Sequence, residues 1–78
     1  MKKVKIFTTP ICTYCNQAKE FFKENNIKFE AIDVTKDRKA AAKMVEISGQ
    51  RGVPVILIEG HEPIIGFDQE ALEKALNI

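Results

Sequence analysis

The chain has 78 residues, enough for one domain and no more. Twelve basic residues against eleven acidic ones leave a net charge of +1, so no global field recruits nucleic acid or a membrane surface. Hydrophobic residues make up 45% and charged residues 29%, an ordinary balance for a globular domain that buries only about 60% of its unfolded surface. Lys5 interrupts the apolar run after Met1-Lys2-Lys3, which argues against a signal peptide. No stretch approaches the length needed to span a bilayer. Residues 1–78 are therefore expected to form a single domain.

Lys3 to Thr8 alternates apolar and charged residues and reads as a strand, its lysines solvated. Pro10 disfavours a helical Thr9 and marks a loop. Thr13 to Glu24 reads as a helix, with Cys15, Ala18, Phe21 and Phe22 on one apolar stripe and Asn25-Asn26 as its stop. Ile27 to Val34 is the second expected strand, placed at a sheet edge by its charged outer half, with Ile27, Phe29 and Ala31 on one face. Thr35 is the expected cap of the next helix, with Asp37 in its first turn. Ala40, Ala41, Met44, Val45 and Ser48 form that helix's stripe, and Gly49 ends it.

Val53 to Ile58 is the most apolar run and reads as a strand covered on both faces, with Pro54 at its entry. Glu59 to Glu62 turns into a short edge strand, Pro63 to Ile65, which Gly66 breaks. Asp68 caps a last helix whose buried stripe is Leu72, Ala75 and Leu76, with Phe67 and Leu72 as a hydrophobic staple. Phe7, Phe21, Phe22 and Phe29 are assigned to the core. The order is β-α-β-α-β-β-α, an α/β class. The first β-α-β unit gives a parallel pair and the last two strands an antiparallel hairpin, together a mixed four-stranded sheet flanked by three helices.

Both cysteines, Cys12 and Cys15, lie in the turn from the first strand to the first helix. The first N–H groups of a helix lack intrahelical partners and carry partial positive charge, so a thiolate at Cys12 is favoured there. Cys12 should ionise more readily than a free thiol and act as the nucleophile, with Cys15 placed one turn on to resolve a mixed disulfide. Two other readings of the pair exist. Zinc needs four ligands, and His61, far along the chain, is the sole further candidate, so a zinc site would need a second chain. A structural bridge closing so short a loop removes little unfolded-chain entropy. A Cys-x-x-Cys pair in a short β-α pattern is a redox signal, and the cytoplasm is the compartment where such a pair is catalytic rather than structural. His61 is given no role, and Lys19, one turn beyond Cys15, is read as a solvated helix lysine, with help in ionising the site as the alternative.

These residues resemble a glutaredoxin, and more widely the thioredoxin-like fold. The resemblance rests on Cys12-Thr13-Tyr14-Cys15 after the first strand, Val53-Pro54 opening the third, Gly66-Phe67-Asp68 before the last helix, and the order of elements. It implies a thiol–disulfide oxidoreductase with Cys12 and Cys15 catalytic. It further implies a cis peptide at Val53-Pro54 facing the sulfurs, and a Val53 backbone that pairs with extended substrate. Tyr14, Arg51, Val53, Pro54, Gly66, Phe67 and Asp68 are the implied substrate-binding residues. The expected redox poise is between about −270 and −200 mV.

The sequence also departs from the glutaredoxins that use glutathione. They usually carry a basic residue three positions before the first cysteine, where this chain has Thr9, and commonly proline after that cysteine, where it has Thr13. The glycine-rich, doubly acidic segment before their last helix is here Gly66-Phe67-Asp68-Gln69, one glycine and one acid short. Arg51 is the candidate replacement cation. The departures resemble small redoxins that thioredoxin reductase or a related flavoprotein reduces. The expected partners are a disulfide-containing protein substrate and, as electron donor, thioredoxin reductase or glutathione. No nucleic acid, membrane or metal is expected, and the chain is taken as a monomer. The cofactor is the Cys12–Cys15 dithiol itself, with glutathione the alternative. The rival from another class is an iron–sulfur-cluster-binding glutaredoxin dimer.

Overall fold

The computed structural model describes residues 3–78; Met1 and Lys2 of the lysine-rich start lie outside the described residues. The elements run β1 (Val4–Thr8), α1 (Thr13–Glu24), β2 (Glu30–Asp33), α2 (Arg38–Ser48), β3 (Val55–Ile58), β4 (Ile64–Ile65) and α3 (Gln69–Leu76). They form one mixed sheet in the order β2-β1-β3-β4. β1 pairs with β2 in parallel, Lys5 opposite Glu30 and Thr8 opposite Asp33. β3 runs antiparallel to β1, Phe7 opposite Val55, and β4 antiparallel to β3, Val55 opposite Ile65.

Alternation along the strands supplies two faces. On one, Val4, Ile6, Ile56 and Ile58 pack against Cys15, Ala18, Phe21 and Phe22 of α1 and Leu72 and Ala75 of α3. On the other, Phe7 and Val55 pack against Met44 of α2. β3 is thus covered on both sides, as its unbroken apolar run demands. Its helical cover is uneven. α1 buries four side chains, whereas α2 buries Met44 alone and leaves Ala40, Ala41, Val45 and Ser48 half-exposed. Among the described residues no helix is long and apolar enough to cross a membrane.

Three expectations need correction. The second strand is half as long as its sequence pattern implies, because the Ile27 N–H is used to close α1, donating to the Phe22 carbonyl at 2.8 Å. Asn26 makes that closure by entering the left-handed region at φ 56°. Ile27 and Phe29 still reach the core as half-buried side chains, but Ala31 is exposed on the edge strand. The cap of α2 is Asp37 rather than Thr35: Asp37 Oδ1 accepts from the Ala40 N–H at 3.0 Å. Thr35 instead donates its hydroxyl and N–H to Asp33 Oδ1, and these two bonds hold the Asp33 carboxyl below the usual Asp range. The third strand begins at Val55, with Val53 and Pro54 lying outside it.

The remaining boundaries follow local chemistry. Gly49 ends α2 at φ 74°, a conformation that costs a side-chain-bearing residue more than glycine. Asp68 caps α3 by accepting from the Ala71 N–H at 3.1 Å, and the exposed Glu70–Lys74 pair, 3.4 Å apart, lies one turn along. Phe67 sits half-buried against the cluster that contains Leu72, which is where a staple places it.

Candidate active site

The register brings the site's segments to one end of the sheet. β1 and β2 finish there at Thr8 and Asp33, β3 begins there at Val55, and β4 finishes there at Ile65. The Cys12 turn, the Val53–Pro54 peptide and the Gly66–Asp68 turn all leave the sheet at that end.

Cys12 is the N-cap of α1, in extended conformation at φ −93° and ψ 111°. Its Sγ accepts a hydrogen bond from the Cys15 N–H at 3.1 Å, and its carbonyl accepts from the Asn16 N–H at 3.1 Å. The Cys12 N–H itself is tied back to the Thr9 carbonyl at 3.4 Å. A sulfur at this position takes the role that a Ser or Asp oxygen plays at an ordinary cap, and negative charge on it is what the orphan N–H groups and the helix dipole favour. The first turn holds no acidic residue to oppose that effect. Cys15 is wholly buried among Ala18, Phe21 and Phe22, while Cys12 is half-buried. Their Cα atoms are 5.2 Å apart and the two sulfurs pair as a disulfide. Cys12 is the partly exposed member of the pair, and Cys15 is sealed behind it.

The Val53–Pro54 peptide is cis. The Pro54 carbonyl accepts from the Gly66 N–H at 2.8 Å, which ties the entry of β3 to the exit of β4. Val53, just outside the ladder and half-buried, makes no backbone hydrogen bond among the described residues, so its N–H and C=O are left unpaired within the chain. Gly66 stands at φ 78°, where glycine is at home.

Other expected site residues have more local duties. Phe67 meets Phe21 edge-on with ring centroids 6.0 Å apart, and Asp68 spends a carboxylate oxygen on its cap. Tyr14 is 62% exposed in the first turn of α1. Arg51 is exposed in the loop before Val53, with no ion-pair partner among the described residues. Ile11, beside Cys12, is 92% exposed, and its isolation from any apolar periodicity was the signal available in sequence. Among the described residues no group of three His, Cys, Asp or Glu side chains is placed to hold a metal. A cleft of about 810 Å³ lies at the far end of the sheet, between Lys3-Val4, Ile27–Phe29 and Leu76–Ile78, and includes neither cysteine.

A helix capped by a half-buried cysteine, its partner buried one turn on and a cis-proline strand entry at the same sheet end define a thiol redox site on a thioredoxin-like fold. Comparison with known proteins narrows the class. The glutaredoxin family profile matches residues 4–62, and this chain belongs to that family. A glutaredoxin-like 8.6 kDa protein of the rubredoxin operon of Clostridium pasteurianum is 40% identical over 73 residues, 94% of this chain and 96% of that one. The crystal structure of a mutant of the thioredoxin-like protein BC3987 superposes with a TM-score of 0.89 at 37% identity, covering 100% of this chain and 99% of the other. The glutaredoxin-like protein NrdH-redoxin from Escherichia coli, described as having a thioredoxin-like activity profile, superposes with a TM-score of 0.80 at 25% identity over 92% of each chain.

Proposed function

We propose that this protein is a dithiol thiol–disulfide oxidoreductase that reduces disulfides in other proteins. The observation that carries the reading is the asymmetry of the pair: half-buried Cys12 capping α1 and fully buried Cys15 donating its N–H to the Cys12 sulfur. In the reduced protein the Cys12 thiolate attacks one sulfur of a substrate disulfide. The substrate S–S bond breaks, a mixed disulfide forms, and the other substrate sulfur leaves as a thiolate that takes a proton. Cys15 loses its proton and attacks Cys12 Sγ. The mixed disulfide breaks, the second substrate thiol departs, and the Cys12–Cys15 disulfide remains. Two electrons and two protons have passed to the substrate. Val53's open backbone is suited to an extended substrate segment, and Ile11 and Tyr14 offer an uncharged, partly apolar rim.

The cycle closes when a flavoprotein of the thioredoxin reductase kind returns two electrons. That choice is supported by Thr9 in place of a cation, by the shortened acidic segment at Gly66-Phe67-Asp68, and by the thioredoxin-like profile ascribed to the Escherichia coli neighbour. A cytoplasmic setting fits a catalytic rather than structural cysteine pair. With insulin as substrate and dithiothreitol as the terminal reductant, the protein is expected to accelerate insulin reduction well above the rate of dithiothreitol alone. A rate no faster than that background contradicts the reading.

A further inference from the structure

The loop between α2 and Val53 is held by side chains rather than by a backbone ladder. Ser48 Oγ lies 2.6 Å from the Met44 carbonyl and accepts from the Gln50 N–H at 3.3 Å. Gln50 then grips its neighbour twice. Its Nε2 donates to the Gly52 carbonyl at 2.9 Å, and the Gly52 N–H donates to its Oε1 at 3.1 Å. A flipped amide would set N–H against N–H and oxygen against oxygen, so one orientation alone satisfies both bonds.

The space at Gly52 fits the same arrangement. Gly49, Gly60 and Gly66 all sit at positive φ, with open space where a Cβ would go. Gly52 is different: its φ lies outside the left-handed region, and a Cβ built on it would meet Gln50 Oε1 at 2.8 Å. Backbone freedom is therefore not what glycine supplies at 52. Its bare Cα leaves room for the Gln50 carboxamide. With both Gly52 peptide groups engaged, Val53 is the next residue whose backbone stands open at the dithiol end of the sheet.

We propose that Gln50 is a positioning residue, clamping Gly52 so that the free N–H and C=O of Val53 are aimed at the peptide flanking a substrate disulfide. The clamp makes the site selective for disulfides carried on an extended polypeptide over small ones that have no peptide groups. This rests on the oxidoreductase reading. The test compares insulin with bis(2-hydroxyethyl) disulfide as substrates for wild type, Gln50→Ala, Gly52→Ala and the double variant. Each single variant is expected to raise KM for insulin by about 3- to 10-fold, the effect of loosening one or two hydrogen bonds. kcat for insulin and both constants for the small disulfide stay as in wild type. Because the two residues act through one contact, the double variant is expected to be no worse than either single. An unchanged insulin KM in active variants, equal losses on both substrates, or additive losses in the double variant overturn the clamp's role. Wild type inactive on both substrates overturns the oxidoreductase reading and the clamp with it.

Discussion

Cys12→Ser is expected to reduce insulin turnover to the rate of dithiothreitol alone, whereas Cys15→Ser is expected to stop after one bond exchange and accumulate a mixed disulfide. The two outcomes differ because the two sulfurs occupy different environments. A serine hydroxyl stays protonated at neutral pH and leaves the helix N-terminus without an anionic nucleophile. Cys15 cannot substitute for it, being wholly buried behind α1's apolar stripe. Without Cys15, Cys12 still attacks, but nothing inside the protein displaces the bound substrate. Mass spectrometry should then show an adduct on Cys15→Ser that excess dithiothreitol removes. Neither substitution leaves a cavity larger than the difference between sulfur and oxygen, so folding should survive, as circular dichroism can check. Activity retained by Cys12→Ser contradicts the assignment of the nucleophile.

The oxidised protein is expected to be re-reduced at least about tenfold faster by NADPH with thioredoxin reductase than by glutathione with its own reductase. The figure comes from one missing contact. A hydrogen bond to a charged group is worth about 1.5–3 kcal/mol, or about one to two orders of magnitude in affinity. Thr9 stands where glutathione-using relatives usually carry the cation, and its carbonyl is occupied by the Cys12 N–H. At the other end of such a ligand, the acid pair is reduced to Asp68, one of whose oxygens caps α3, and Phe67 is turned onto Phe21. Arg51 is the cation left in the neighbourhood of the strand entry, on a loop whose shape Gln50 and Gly52 set. Thr9→Lys should raise the glutathione-driven rate by about tenfold and leave the reductase-driven rate little changed. Equal rates with the two donors in wild type contradict the preference.

Most of the fold could be read from spacing. The helix Thr13–Glu24 was bounded by Pro10 before it and two asparagines after it, and its four buried residues fell on one stripe. The apolar run 53–58 announced a strand buried on both faces, two residues longer than the one that forms, and Pro63 announced an edge. What escaped were choices between near-equal local partners. Asp33, Thr35 and Asp37 can each accept or cap within one short segment. The decision belonged to the end of β2, which puts Asp33 where it captures Thr35 and leaves Asp37 for α2. The lost half of β2 had a similar cause, since a strand pattern cannot show that the Ile27 N–H is already spent on closing α1.

The site divided along the same line. Cys12 and Cys15 stood out because a charge-bearing sulfur at a helix start has a physical meaning without any fold. The meeting of the Cys12 turn, Val53–Pro54 and Gly66–Asp68 depends on β1 lying beside β3, which a parallel pair and a hairpin read from sequence leave open. The cis geometry at Val53–Pro54 came from family likeness, since composition favours trans. The Gln50 grip on Gly52 was invisible in sequence, because it depends on one side chain folding back two residues along the chain.

Every step above requires that Cys12, at the start of α1, be charged near neutral pH while Cys15 is not. Following the ultraviolet absorbance of thiolate in the reduced protein as pH rises, with each cysteine replaced in turn by serine to assign the steps, reads this directly. The expected result is that the Cys12 thiol ionises clearly below the range of free cysteine, about 8.5, and that Cys15 ionises above Cys12. A Cys12 that ionises no more readily than an unstructured cysteine, or only after Cys15, contradicts it.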